Sequence, residues 1–124
     1  NVLINCYRSI DDNYGHDSGD EVLKVVAGLL NKHFSSEHIV ARLGGEEFSV
    51  FFDDMSLNDA AKRLEAFRIE LEQTAITSGK RNIKCAMSIG VTHATFEQLD
   101  QLLIYADELL YQAKQNGRNQ LIAR

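Results

Sequence analysis

Apolar residues recur at helical spacing in three stretches of the chain, separated by short dense runs of β-branched and aromatic residues. Val22, Val25, Val26, Leu29 and Leu30 share one stripe, which predicts a helix running to about Phe34. Ser18 to Glu21 spells a Ser-x-x-Glu capping box, with Asp17 and Asp20 also near the helix start. Leu57, Ala60, Leu64, Phe67, Leu71 and Ala75 form a second stripe, opened at Ser56 by a Ser-x-x-Asp box that closes on Asp59. Leu99, Leu102, Leu103, Ala106, Leu109, Leu110 and Ala113 form a third, which Asn116-Gly117 stops.

Between these helices the pattern is that of strands. Residues 2 to 5 read as a strand and Tyr7 to Tyr14 as a short helix. Ile39 to Leu43 and Phe48 to Phe52 are strand-like runs on either side of Gly44-Gly45, which predicts a β-hairpin with that glycine pair at its tip. Ser78-Gly79-Lys80 marks a turn, Ile83 to Val91 alternates as a strand, Thr92 to Thr95 reads as a short loop, and Leu121-Ile122 as a last strand. Helices interleaved with strands, one pair of them an antiparallel hairpin, predict an α/β (α+β) fold with a sheet flanked by helices.

Composition narrows the functional classes. At 124 residues the chain is one domain, spanning 1–124, and is long enough to bury a real core. A formal net charge of −5 weighs against DNA or RNA as partner, because phosphate backbones favour basic surfaces. No run approaches the roughly 20 apolar residues of a membrane span, so no membrane contact by this domain is expected. Cys6 and Cys85 lie in apolar surroundings far apart in sequence and read as buried thiols rather than a disulfide. The chain opens inside the strand-like run Val2-Leu3-Ile4 without an initiator methionine, and reads as an N-terminally truncated piece of a longer protein.

The segment Arg42-Leu-Gly-Gly-Glu-Glu-Phe48 is the chain's densest chemistry. Glycines at a tip let backbone approach a ligand, and adjacent acids can hold a divalent cation beside phosphates. A plain hairpin with exposed acids accounts for the same residues equally well. Asp11, Asp12, Asp17 and Asp20 form an acidic cluster before the first long helix; the helix dipole suffices to explain Asp17 and Asp12. Their spacing is not that of an EF-hand. Lys114 and Arg118, four apart at the end of the last helix, complement its C-terminus and could also reach one polyphosphate. His16 follows Tyr14-Gly15 at a turn, as a structural histidine would. Ser78-Gly79-Lys80 lacks the upstream glycine and following hydroxyl of a P-loop.

Together these pieces resemble the GGDEF family, the diguanylate cyclases of bacteria. Gly44-Gly45-Glu46-Glu47-Phe48 is similar to the GGEEF form of the family's naming motif, and Gly15-His16-Asp17-Ser18-Gly19-Asp20 to its GH-x-x-GD segment. Ser88-Ile89-Gly90-Val91, Ala106-Asp107, Tyr111-x-Ala-Lys114 and Gly117-Arg118-Asn119 match the strand, last helix and exit that follow. The resemblance implies a central, mostly antiparallel sheet flanked by helices, similar to the palm of adenylyl cyclases and polymerases. It also implies a homodimer in which each domain brings one GTP. The 3′-hydroxyl of each GTP attacks the α-phosphate of the other, with release of two pyrophosphates and formation of cyclic di-GMP. Mg (or Mn) is the implied cofactor.

Carried over by the same resemblance, Glu46 is a metal ligand and Glu47 a second metal contact or a base near the 3′-hydroxyl. Gly44 and Gly45 admit the nucleotide to the backbone, Asp20 accepts from the guanine edge, and Lys114 and Arg118 bind phosphates. Backbone from Ile4 to Arg8 lines the phosphates, with the Ile4 carbonyl at the metal. The implied setting is the bacterial cytoplasm, in a parent protein that carries a regulatory or sensor domain and can be membrane-anchored.

The first motif departs from the family's Asp-x-Asp-x-Phe-Lys-x-x-Asn-Asp. Here the positions read Leu3, Ile4, Asn5, Cys6, Tyr7, Arg8, Ser9, Ile10, Asp11 and Asp12. Leu3 replaces the aspartate that shares the metals, and a leucine cannot coordinate Mg. Asp11 replaces an asparagine at the guanine; it accepts hydrogen bonds but cannot donate when ionised. Arg8 for lysine keeps the charge and changes its shape. A degenerate module that binds GTP or a protein partner and regulates a neighbouring domain is the alternative these departures favour. The inhibitory Arg-x-x-Asp motif is also missing, with Ser35 and His38 in its place, so feedback by cyclic di-GMP at that site is not expected.

Overall fold

A computed structural model describes residues 2–10, 16–34, 39–44, 47–53, 55–79, 81–95 and 99–124. For residues 2–10, 16–20, 39–44, 47, 49, 53, 78, 81, 94, 95, 99, 100 and 103 it is the backbone that is described. In chain order the elements are β1 (Val2–Ile10), α1 (His16–Phe34), β2 (Ile39–Gly44), β3 (Glu47–Asp53), α2 (Leu57–Gln73), β4 (Ile76–Ser78), β5 (Arg81–Ile83), β6 (Met87–Thr95), α3 (Leu99–Gln115) and β7 (Leu121–Ala123).

Among the described residues five strands form the main sheet, in the order β2-β3-β1-β6-β7. β1 is central and antiparallel to both β3 and β6, β2 is antiparallel to β3, and only β7 runs parallel to its neighbour β6. A parallel neighbour requires a crossover, and α3 supplies it. The expected mostly antiparallel α/β sheet is therefore present.

The alternation of β6 assigns the two faces. Met87, Ile89 and Val91 join Phe48, Val50 and Phe52 of β3 in one core, packed against Val22, Val26, Leu30 and Phe34 of α1 and Ala60, Leu64, Phe67 and Leu71 of α2. Phe34 sits at its centre, edge-on to Phe52 at 5.6 Å between ring centroids and 6.0 Å from Phe67. Each large apolar side chain buried here contributes roughly 1.5–3 kcal/mol. On the other face the alternate residues Ser88, Gly90 and Thr92 are buried where α3 lies against the sheet, with Leu102, Ala106, Leu109, Leu110 and Ala113 as its buried stripe. The result is α1 and α2 on one side, the sheet in the middle, and α3 on the other.

Gly90 sets how close α3 comes. A Cβ there would lie 2.4 Å from both the Ala106 carbonyl oxygen and the Leu110 nitrogen, so only glycine admits the helix backbone at this depth. α2 begins as expected: Ser56 Oγ accepts from the Asp59 N–H at 3.0 Å. α1 and α2 are clipped at the surface, where Lys32 Nζ donates to Glu70 Oε1 at 2.6 Å and His33 Nε2 lies 2.9 Å from Oε2. The hydrogen bonds from Lys32 first and then from His33 hold the Glu70 carboxyl below its ordinary value.

Several expectations change. The segment from Tyr7 to Ile10 is strand, because β3 and β6 pair with it on both sides; positions 11–15 of the expected helix lie outside the described residues. α1 starts at His16, two residues before the Ser18 box. Gly79, at φ 61°, turns a small hairpin of β4 with β5, so Ile83 ends one strand and Met87 starts another. Thr92 to Thr95 belong to β6, paired with Val2 to Asn5, and are not a loop. Ala75 is exposed, since α2 ends at Gln73 and Thr74 caps it through an N–H donated to the Leu71 carbonyl. Cys85 is buried as expected; the side chain of Cys6 lies outside the described residues. Among the described residues no helix is long and apolar enough to cross a membrane.

Candidate functional site

One end of the sheet gathers most of the candidate residues. β1 ends there, β3 and β6 begin there, and the register brings Ser9 opposite both Glu47 and Ser88. Arg8 is paired with Phe48 and Ile89 one step inward. The β2–β3 ladder closes on a Gly44–Glu47 pair after a register shift between Arg42 and Gly44. Gly44 is thus the last residue of β2, and the connection comprises positions 45 and 46. Gly45 and Glu46 themselves lie outside the described residues, as does Asp11. Asp20 lies in the second turn of α1, a helix that starts at His16, six residues past the end of β1.

The exit of α3 reaches the same end. The N–H of Ile89 donates to the Gln120 carbonyl at 2.9 Å, and β7 then pairs Leu121 with Ile89. Between Lys114 and that contact the chain turns sharply. Arg118 N–H donates to the Ala113 carbonyl at 2.9 Å and Gly117 N–H to the Lys114 carbonyl at 3.4 Å, a Schellman cap with Gly117 at φ 114°. The left-handed run continues through Arg118 at φ 63° and Asn119 at φ 47°. For residues with a Cβ this region is uncommon, and it persists where surrounding contacts over-determine it. Lys114 is half-buried and Arg118 exposed.

Those contacts come from α2. Arg68 Nη1 donates to the Asn119 side-chain oxygen at 2.8 Å and to its carbonyl oxygen at 3.1 Å. Glu65 and Glu72, one turn to either side of Arg68, pair with its guanidinium, and Asn119 Nδ2 donates to Glu72. Gln120 Nε2 donates to the carbonyls of Asn116 and Arg118 at 3.0 and 3.1 Å. Nothing in the sequence pattern points to Arg68: it is one of two arginines in α2, and its partner is 51 residues away.

The arrangement divides the expected residues. Gly44, Glu47, Arg8, Lys114 and Arg118 share one sheet end. Ile4, whose carbonyl the resemblance assigns to the metal, is paired with Phe52 and His93, five residues down β1 from Ser9 and roughly 17 Å along the strand. Leu3 is farther still, opposite Asp53 and Ala94. Among the described residues no group of three His, Cys, Asp or Glu could hold a metal. The expected donors at this end are the adjacent carboxylates Glu46 and Glu47, of which the structure describes the backbone of Glu47. That set suits Mg, which is commonly bound through one or two carboxylates together with a substrate's phosphates and waters.

The family described as "Diguanylate cyclase, GGDEF domain" matches residues 2–120. Diguanylate cyclase A of Treponema denticola is 36% identical over 122 residues, covering 97% of this chain and 33% of that protein. An uncharacterized membrane protein of Staphylococcus saprophyticus is 36% identical over 125 residues, covering 98% of this chain and 35% of that protein. Among solved structures, the active GGEEF domain of a diguanylate cyclase from Vibrio cholerae superposes with a TM-score of 0.88 at 28% identity, over 98% of this chain and 82% of that one. The chain spans about a third of the length of these two relatives.

Proposed function

The chain belongs to the GGDEF diguanylate cyclase family, and from that premise we propose that it condenses two GTP into cyclic di-GMP, one bound to each domain of a homodimer. The observation that carries the reading is the meeting of the Gly44–Glu47 hairpin end with the cationic exit of α3 across one sheet end. A nucleoside triphosphate has the matching chemistry: phosphates for Lys114 and Arg118, and a metal-bound phosphate for the acids.

In this reading Asp20 accepts hydrogen bonds from the guanine edge. Lys114 and Arg118 hold the β- and γ-phosphates and stabilise the charge that the departing pyrophosphate takes with it. Arg8 adds a cation from β1. Glu46 holds Mg, or Mn, with Glu47 beside it; the ion supplies Lewis acidity at the α-phosphate when bound. Glu47 accepts the 3′-hydroxyl proton as the oxygen attacks the partner's nucleotide. A sensor or regulatory domain elsewhere in the parent protein controls the pairing, in the bacterial cytoplasm, and any membrane anchor of the parent lies outside this domain.

Leu3 favours a second reading. With leucine where the family has a metal-bridging aspartate, and with Leu3 set well down β1 from Ser9, no third carboxylate from β1 joins Glu46 and Glu47; in this reading the domain binds GTP without turnover and reports its presence to a neighbouring domain or protein. Incubating the protein at high concentration with GTP and Mg, and separately Mn, with chromatography of the products, distinguishes the two. A cyclic di-GMP peak supports the enzyme. Binding of GTP by calorimetry with no product supports the sensor, and absence of both overturns the nucleotide readings together.

A further inference from the structure

We propose that Arg68 is a positioning residue for the phosphate-binding Arg118, acting through Asn119; the inference rests on the nucleotide reading above. Arg118 and Asn119 both hold left-handed backbone, at φ 63° and 47°. Each such residue costs on the order of 1 kcal/mol, so the two-residue run would relax if left to local preference. On the α3 side the run is held by the Schellman cap, through Arg118 N–H to the Ala113 carbonyl. On the far side its anchor is the Arg68 guanidinium, which donates to both the carbonyl and the side-chain oxygen of Asn119.

The guanidinium is itself fixed. Glu65 and Glu72 pair with it from one turn before and one turn after, and the Arg68 side chain is only 16% exposed. Glu72 also accepts from the Asn119 amide, so the clamp grips both ends of that side chain. Arg68 thereby ties the exit of α3 to α2, on the opposite face of the sheet, and sets the direction in which the chain carries Arg118. A lysine cannot reproduce the fork, because a single ammonium does not present two coplanar donors to Asn119 while facing the carboxylates.

The test is calorimetric binding of GTP and of GMP, which lacks the β- and γ-phosphates, with Mg present. It compares the unmodified chain with Arg68→Ala, Arg68→Lys, Arg118→Gln and the Arg68→Ala/Arg118→Gln double variant. Arg68→Ala is expected to weaken GTP about tenfold, as loss of one charge-assisted phosphate contact would, while GMP changes by less than about twofold. Arg68→Lys falls between, and in the Arg118→Gln background Arg68→Ala costs nothing more. Melting curves show which variants fold; if Arg68→Ala does not, Arg68→Lys alone and in the Arg118→Gln background carries the comparison.

Equal losses for GTP and GMP, or full additivity with Arg118→Gln, would overturn the positioning role while leaving the nucleotide reading intact. Unchanged GTP affinity in Arg68→Ala does the same. If Arg118→Gln leaves GTP binding untouched, the phosphate role of Arg118 and this inference fall while the nucleotide reading stands; if the unmodified chain binds no GTP, the nucleotide reading fails and the inference falls with it.

Discussion

Gly90 of β6 lies directly beneath the Ala106 carbonyl of α3, so close that a Cβ on the glycine would stand 2.4 Å from that oxygen. The obstacle is backbone on both sides, since the Leu110 nitrogen is equally near. Gly90→Ala must therefore lift α3 as a whole. Overpacking of this kind costs about 1–3 kcal/mol or more, and the same displacement moves the helix that bears Lys114. A melting temperature lowered by several degrees together with weaker GTP binding is expected; an unchanged melt would show that α3 does not pack at this depth.

Gly28 offers the opposite case. It is exposed in the middle of α1, and a Cβ there would meet nothing within 4 Å. Gly28→Ala removes backbone freedom from the unfolded chain and should stabilise by about 0.5–1 kcal/mol, read as a higher midpoint in urea at constant slope.

Glu70 makes the clip between α1 and α2 sensitive to acid. Its carboxyl is held below the ordinary 4.5 by Lys32 and then by His33. Its stabilising contribution is therefore complete above pH 4.5 and is lost as pH falls through the lowered value. Glu70→Gln should melt below the unmodified protein at pH 6 and converge with it in acid. A difference that stays constant down to pH 3 would show that the carboxylate's charge is not what holds the clip.

The three helices, the β2–β3 hairpin and the last strand were legible because each carries its own periodicity or turn signal, and Ala60, Leu64, Phe67 and Leu71 are buried as their spacing predicts. Misreadings fell where pairing partners are distant. Cys6 to Ile10 shows no strict alternation of its own and is strand because β3 and β6 flank it. β4 and β5, three residues each, are too short to show a period at all. In the candidate site, Lys114 and Arg118 could be found from their four-residue spacing across the end of α3, whereas the Arg68–Asn119 clamp joins residues that only the folded chain brings together.

Asp20 carries the proposed guanine preference. A carboxylate accepts from the N1–H and amino group of guanine and finds no matching donor pair on adenine. Asp20→Ala should weaken GTP by about tenfold or more and leave ATP binding nearly unchanged, measured by competition calorimetry. Equal effects on both nucleotides would place base recognition elsewhere.

Glu46 carries the proposed metal. Glu46→Gln keeps the shape and removes the charge that Mg requires, so turnover should fall by roughly two orders of magnitude or more. Residual GTP binding through Lys114 and Arg118 should survive and lose its dependence on Mg. Undiminished cyclic di-GMP formation by this variant would remove Glu46 from the mechanism.

The strand order carries one further consequence. The acidic hairpin belongs to β3 and the cationic exit leads into β7, with β1 and β6 between them. At the usual strand spacing that is about 14 Å from one charged pole to the other. A ligand that engages both has to bridge two intervening strands and be anionic toward the β7 side, whereas a lone phosphate reaches one pole only. Under the proposed function the sheet thereby acts as a ruler, and selection at this end is by length as much as by charge.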